Sequence, residues 1–196
     1  MEKFSNMFEQ VLLLGLIPIL GGSRNMLTAL IVAVVLILVS LLVRFFSRIM
    51  NKENLAGAHW ILYISLGISL SYIAYLFSAF SYPEVYQYSG IYILLVGVTP
   101  LTYYGCKSNI TLTEQLKRYN IFFLTIIVVS FFRELLGFGS LLGISFFEVG
   151  FAPLGSFQGA PGAFIILGTL WLLFRLLLTL NIIDETFIEI EEGIEQ

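Results

Sequence analysis

Charge is scarce in this sequence. Lys, Arg, Asp and Glu make up 12% of its 196 residues, against roughly 25% in an ordinary soluble domain. That shortage excludes a water-solvated exterior and points to an integral membrane protein. The charge that remains is not basic: the net value of -3 at pH 7 argues against a nucleic-acid partner, whose phosphates call for a positive surface. Cysteine is reduced to Cys106 alone, so no disulfide closes within the chain and no metal site forms from several of its own thiolates. Histidine is reduced to His59, which lies beside Gly57 and Trp60 and reads as an interface residue. Phosphate-binding loops are absent too, because neither GFGSLLG nor FQGAPGAF is followed by the Lys and Ser/Thr such a loop requires.

What is present is apolar length. A transmembrane helix needs about 20 apolar residues, and six segments come near it. The first, 10–22, is short and carries Gly15, Pro18, Gly21 and Gly22. An amphipathic lead over 1–9 precedes it with little basic flank, so the first span is expected to be retained and not cleaved as a leader. The second span, 26–43, is rich in Leu, Ile and Val and lacks glycine. A basic connector with Arg44, Arg48 and Lys52 leads to the third, 58–80, whose Gly67, Ser65, Ser69 and Ser71 permit close helix approach. Tyrosines from Tyr72 to Tyr88 around Pro83 form an interfacial belt. The fourth segment, 91–105, is again short and interrupted. The fifth, 119–136, ends near Arg133 and Glu134. A Gly/Phe/Pro loop over 137–161, which includes Glu148, is expected to dip back toward the membrane, and the sixth span covers 162–183. An acidic tail, 184–196, closes the chain and is expected to be cytoplasmic.

Two short motifs organise this plan. GLIP at 15–18 and GVTP at 97–100 each place Gly three residues before Pro and follow it with Ile19 or Leu101. Pro inside a helix deletes a backbone hydrogen bond and clashes with the preceding turn, so GxxP predicts a break or kink. In lipid a break survives only where protein or a cavity covers the freed groups. Gly15, Pro18, Gly97 and Pro100 are therefore expected to be structural. The fold expected is all-α, one membrane domain over 1–196, with two three-helix repeats at about 8–82 and 89–183, each opening on a broken helix. An odd number of crossings per half inverts the second repeat relative to the first.

Loop charge sets the orientation. Lys3, Arg44, Arg48, Lys52, Lys107, Lys117 and Arg118 fall on one side, Arg24 and Arg133 on the other, and Arg175 is expected to snorkel toward the first side. Both termini are thus expected to be cytoplasmic.

Few side chains offer chemistry. Cys106 ends the second broken helix, where it reads either as a small buried hydrophobe or as a thiolate ligand to a cluster completed by a partner chain. Arg133 and Glu134 read either as an anchor at the helix end or as a buried structural or functional pair. Partners on other helices suit them better than each other, since consecutive side chains point in different directions. The first four spans hold no buried carboxylate, which counts against an independent secondary transporter.

These residues resemble the six-span membrane subunits of the Rnf ferredoxin:NAD+ oxidoreductase and the Na+-pumping NADH:quinone reductase, above all the E subunit of the former and the D subunit of the latter. The resemblance rests on LLGLIPILG (13–21), TPLTYYGC (99–106), FFRELLGFGSL (131–141) and APGAFIILG (160–168). It implies a multi-pass inner-membrane protein without catalytic competence of its own. Such a subunit pairs with a homologous six-span subunit of opposite orientation between flavin-bearing subunits, and helps carry electrons in a translocase that moves Na+ or H+. It also implies a [2Fe-2S] cluster shared between the two homologues, with Cys106 at the family's second cysteine position. The first position is occupied by Ile17, and Tyr103, Tyr104 and Gly105 replace the polar residues usual before the second. Ile cannot ligate iron. Either another donor completes the set, or the cluster is lost and the chain is a scaffold or membrane channel element of such a complex, or the complex is a divergent relative whose electron route differs.

Overall fold

The computed structural model describes residues 2–50, 59–81, 83–106, 110–141, 144–145 and 154–179. The acidic tail, Glu148, Lys52 and Lys107 lie outside the described residues. Among the described residues eight α-helices carry the fold: α1 (Glu2–Leu14), α2 (Leu16–Gly22), α3 (Met26–Met50), α4 (His59–Ser81), α5 (Pro83–Leu95), α6 (Pro100–Tyr103), α7 (Leu112–Arg133) and α8 (Ala160–Thr179). The one sheet among the described residues is a two-residue hairpin, β1 (Ser140–Leu141) antiparallel to β2 (Ile144–Ser145).

The all-α expectation holds. Three stretches, Met26–Ile49, Trp60–Ser81 and Leu112–Phe138, are long and apolar enough to cross a membrane. At 1.5 Å per residue the shortest exceeds the roughly 30 Å hydrocarbon core. A fourth is the bent pair Tyr86–Val98 and Pro100–Cys106, inclined by 40°. The outer faces explain why lipid is the fitting solvent: Phe80 is 91% exposed, Leu13 75% and Ile61 73%, a density of apolar surface that water does not tolerate.

The core follows from one stripe. Ala29, Val32, Leu36, Val39 and Val43 recur along α3 at helical spacing and are buried together with Phe122, Ile126 and Val129 of α7. The pair is antiparallel, since Arg44 near the end of α3 bonds residues at the start of α7 while Glu134, just past α7, bonds Met26 at the start of α3.

Several boundaries differ from the sequence reading. From Glu2 onward the lead is not separate but belongs to α1. α3 runs seven residues beyond Val43, so Arg44 is a buried helical residue and not a connector charge. α7 begins at Leu112, where Thr111 and Glu114 form a capping box. At its far end it tightens into a π-turn, Glu134–Phe138, and stops at Gly139, whose φ of 64° suits glycine.

Candidate functional site

The two GxxP motifs produce different breaks. At the first, Gly15 separates α1 from α2 without severing the ladder: Gly15 N donates to Val11 O at 2.9 Å and Ile19 N to Gly15 O at 3.2 Å. Pro18 consequently falls in the first turn of α2, where its missing N–H leaves no gap within that helix. At the second, Thr99 turns to an extended conformation (φ -64°, ψ 127°) and Pro100 becomes the first residue of α6.

Hydroxyls supply donors to the carbonyls around the second break, where Leu95 O and Val96 O also share the backbone N–H of Thr99. Thr99 Oγ1 donates to Leu95 O at 2.9 Å, Thr102 Oγ1 to Val96 O at 2.7 Å, and the Tyr103 hydroxyl to Gly97 O. Thr99, Thr102 and Tyr103 are all buried, so the protein itself supplies what lipid cannot. Gly97 lies so close to α4 that an added Cβ would stand 2.7 Å from Gly67 O and 2.8 Å from Ile68 Cα.

Arg133 is 3% exposed and meets no carboxylate among the described residues. Its Nη1 donates to Leu20 O and Ser23 Oγ, both at 2.9 Å. Its Nη2 donates to Gln158 O at 3.0 Å and Gly159 O at 3.1 Å, and its Nε to Phe157 O at 3.3 Å. These acceptors sit at the C-terminal ends of α2 and of the short 155–158 turn, where backbone dipoles favour a cation. Glu134 takes the complementary place, accepting from Met26 N at 2.8 Å at the start of α3. Arg133 and Glu134 are thus adjacent in sequence but hold different segments, and both are buried, so neither is an interfacial anchor.

Arg44, absent from the sequence-level candidates, does the same at the opposite end. It is 3% exposed and donates to Ile110 O at 2.9 Å, Thr111 O at 3.3 Å and the Gln115 side-chain oxygen. Gln115 in turn bonds the Tyr119 hydroxyl. The sequence signal was the spacing Ser40, Arg44, Ser47, which lies on one helix face and continues the buried stripe.

Cys106 ends the turn after α6 and is half-buried. Its thiol lies beside the Ser47 hydroxyl and within range of the Arg44 charge. Ile17 is 39% exposed and brings no donor. Among the described residues no group of three His, Cys, Asp or Glu side chains could hold a metal. Cys106 is one thiolate of the four that a [2Fe-2S] cluster takes, so the other donors of such a cluster would have to come from a partner chain. Arg175 pairs with Glu9 of α1 at 2.6 Å.

No protein-family model matches this chain, and no curated protein does either. A groove of about 640 Å³ opens over the second break. Val98, Pro100 and Tyr103 line it beside Leu13, Leu14 and Ile64, while Gln10, Trp60 and Tyr104 add the only polar atoms on its side chains besides the Tyr103 hydroxyl. What the molecule offers is one interrupted segment held at its end by buried Arg133, a second whose following connector is held by buried Arg44, and one thiol beside Arg44.

Proposed function

We propose that this chain is a membrane subunit of an Rnf/Nqr-type electron transport complex, helping transfer electrons across the inner membrane coupled to Na+ or H+ translocation. In this reading six spans form two inverted repeats, and the chain packs against a homologous six-span subunit between flavin-bearing partners, with both termini cytoplasmic. The observation that carries it is reciprocity. The end of the first half's interrupted segment is held by Arg133 from the second half, and the connector after the second half's interrupted segment is held by Arg44 from the first. Two halves related by an axis in the membrane plane would make such an exchange of contacts.

A second reading, a structural subunit of such a complex without its own cofactor, is favoured by Ile17. An outward-facing aliphatic side chain stands where the family has a ligand, and Cys106 is the only thiol. Purification of the tagged chain from its native membrane tests both. The first expectation is co-purification of flavin-bearing membrane subunits; a chain that purifies alone and moves a solute with saturation kinetics would be a transporter instead. Iron, acid-labile sulfide and EPR then separate the two readings. A stoichiometric [2Fe-2S] signal lost in Cys106→Ala makes Cys106 a ligand, whereas a complex without that signal, or with one indifferent to the substitution, makes this chain a scaffold.

A further inference from the structure

We infer that the groove between α1, α4 and α6 binds an acyl chain of an anionic glycerophospholipid, with the lipid phosphate on Arg118. The groove is apolar along its floor, where Leu14, Ile64, Val98 and Pro100 meet, and changes character at one end. There Gln10 and Tyr104 line it, and both are engaged by the same cation. Arg118 Nη1 donates to Gln10 Oε1 at 2.8 Å, and its guanidinium carbon stands 4.0 Å from the centre of the Tyr104 ring.

Arg118 has charge to spare. Among the described residues it forms no ion pair, and its second terminal nitrogen makes no hydrogen bond. Two carboxylates of neighbouring positions among the described residues are committed elsewhere: Glu9, next to Gln10, pairs with Arg175, and Glu114, one turn before Arg118, accepts from Thr111 N in the capping box. Lys117 beside it is exposed and adds to the positive field. An apolar slot with a cation at its mouth complements an amphiphile with an anion at one end, and arginine suits a phosphate through several parallel N–H donors. Trp60 and Tyr104 belong at the headgroup level, where aromatic side chains collect.

The volume argues against a partner helix. A helix is at least 10 Å across with its side chains, so about 640 Å³ would seat roughly one and a half turns of it. A hydrocarbon chain is much thinner and can lie along the whole slot. This inference is independent of the electron-transport reading, because it concerns a surface that the two arginine clamps do not use.

Native mass spectrometry of the full-length detergent-purified protein tests it. The protein is offered equal amounts of phosphatidylglycerol and phosphatidylcholine with identical acyl chains. The expected result is a bound phosphatidylglycerol retained at least fivefold over phosphatidylcholine. Arg118→Gln should bring that ratio to about one, and Leu13→Trp, which fills the groove from an exposed position, should lose both lipids. Lys117→Gln, which removes an equal charge from outside the groove, should keep most of the preference. Equal retention of the two lipids by the unaltered protein would overturn the inference. So would a loss of preference in Lys117→Gln as large as in Arg118→Gln, or a lipid-free dimer whose interface is broken by Leu13→Trp.

Discussion

Arg44 and Arg133 stand at opposite ends of the antiparallel α3–α7 pair, and each holds the connector that leads into the other's helix. Arg44 on α3 grips Ile110 and Thr111 ahead of α7, and Arg133 on α7 grips Leu20 and Ser23 ahead of α3. Neither has a carboxylate partner among the described residues. Their charges are balanced by backbone carbonyls, many of them at helix ends that point their negative pole at the guanidinium.

Removing Arg133 leaves five acceptors without their donor, three of them in the 157–159 turn and two at the end of α2. Arg133→Met should therefore lower stability by about 3–5 kcal/mol, since hydrogen bonds from a charged donor are worth about 1.5–3 kcal/mol each and several buried acceptors lose theirs together. Arg133→Lys should recover only a small part, because one ammonium cannot reach two segments that a planar fork spans. Thermal unfolding of the detergent-solubilised protein, followed by a fluorescent fusion and size exclusion, reads the effect. A loss below about 1 kcal/mol for Arg133→Met would mean that the clamp does not hold the fold.

Arg44 and Gln115 should prove energetically coupled. The Gln115 side chain accepts from Arg44 and bonds Tyr119, so its truncation strands both. A double-mutant cycle with Arg44→Met and Gln115→Leu should give an interaction of about 0.5–3 kcal/mol. Arg48→Ala, on the exposed face of the same helix, should change stability by no more than about 0.5 kcal/mol. Additive effects of the first two substitutions would contradict the network.

How much of this could be read in the sequence depends on what encodes it. The helices and the second break were legible, because apolar length and GxxP are side-chain signals with direct backbone consequences. The end of α3 was not. After a long apolar run, Arg44 and Arg48 look like the first residues of a loop, and only the Ser40–Arg44–Ser47 spacing marks the helix as continuing. The mildness of the first break was also hidden: GLIP and GVTP match as motifs, yet the chain stays hydrogen-bonded through Gly15 and turns extended at Thr99. Arg133 and Glu134 could be read as a buried pair with partners on other helices, but the partners themselves were hidden for a different reason. The arginines' acceptors are mostly main-chain carbonyls, which every residue carries and no motif records.

Tyr103 should matter through one oxygen. Its hydroxyl covers Gly97 O, a carbonyl that the break at Thr99 removes from the helical ladder. Tyr103→Phe keeps the ring and deletes the donor, so the expected loss is about 1–3 kcal/mol, the cost of leaving a buried acceptor unsatisfied. Tyr72→Phe, on an exposed tyrosine of α4, provides the comparison and should be close to neutral. If the two substitutions shift the unfolding midpoint equally, the hydroxyl does not sustain the break.

Gly97 and Gly168 should respond to the same substitution with opposite signs. A methyl group at Gly97 would meet Gly67 O at 2.7 Å and Ile68 Cα at 2.8 Å. Both are main-chain atoms of α4, so neither can rotate away, and the contact is relieved only by parting the two helices. Gly97→Ala should cost about 1–3 kcal/mol, as overpacking of a closed interface does, and should loosen the Tyr103 hydrogen bond across the same break. At Gly168, inside α8, nothing lies within 4 Å of the added carbon. There the only consequence is conformational, and Gly168→Ala should raise stability by up to about 1 kcal/mol, the difference in helix propensity. Paired unfolding measurements on the two variants decide the matter: a Gly97→Ala protein as stable as Gly168→Ala would show that α4 and the interrupted segment do not pack backbone to backbone.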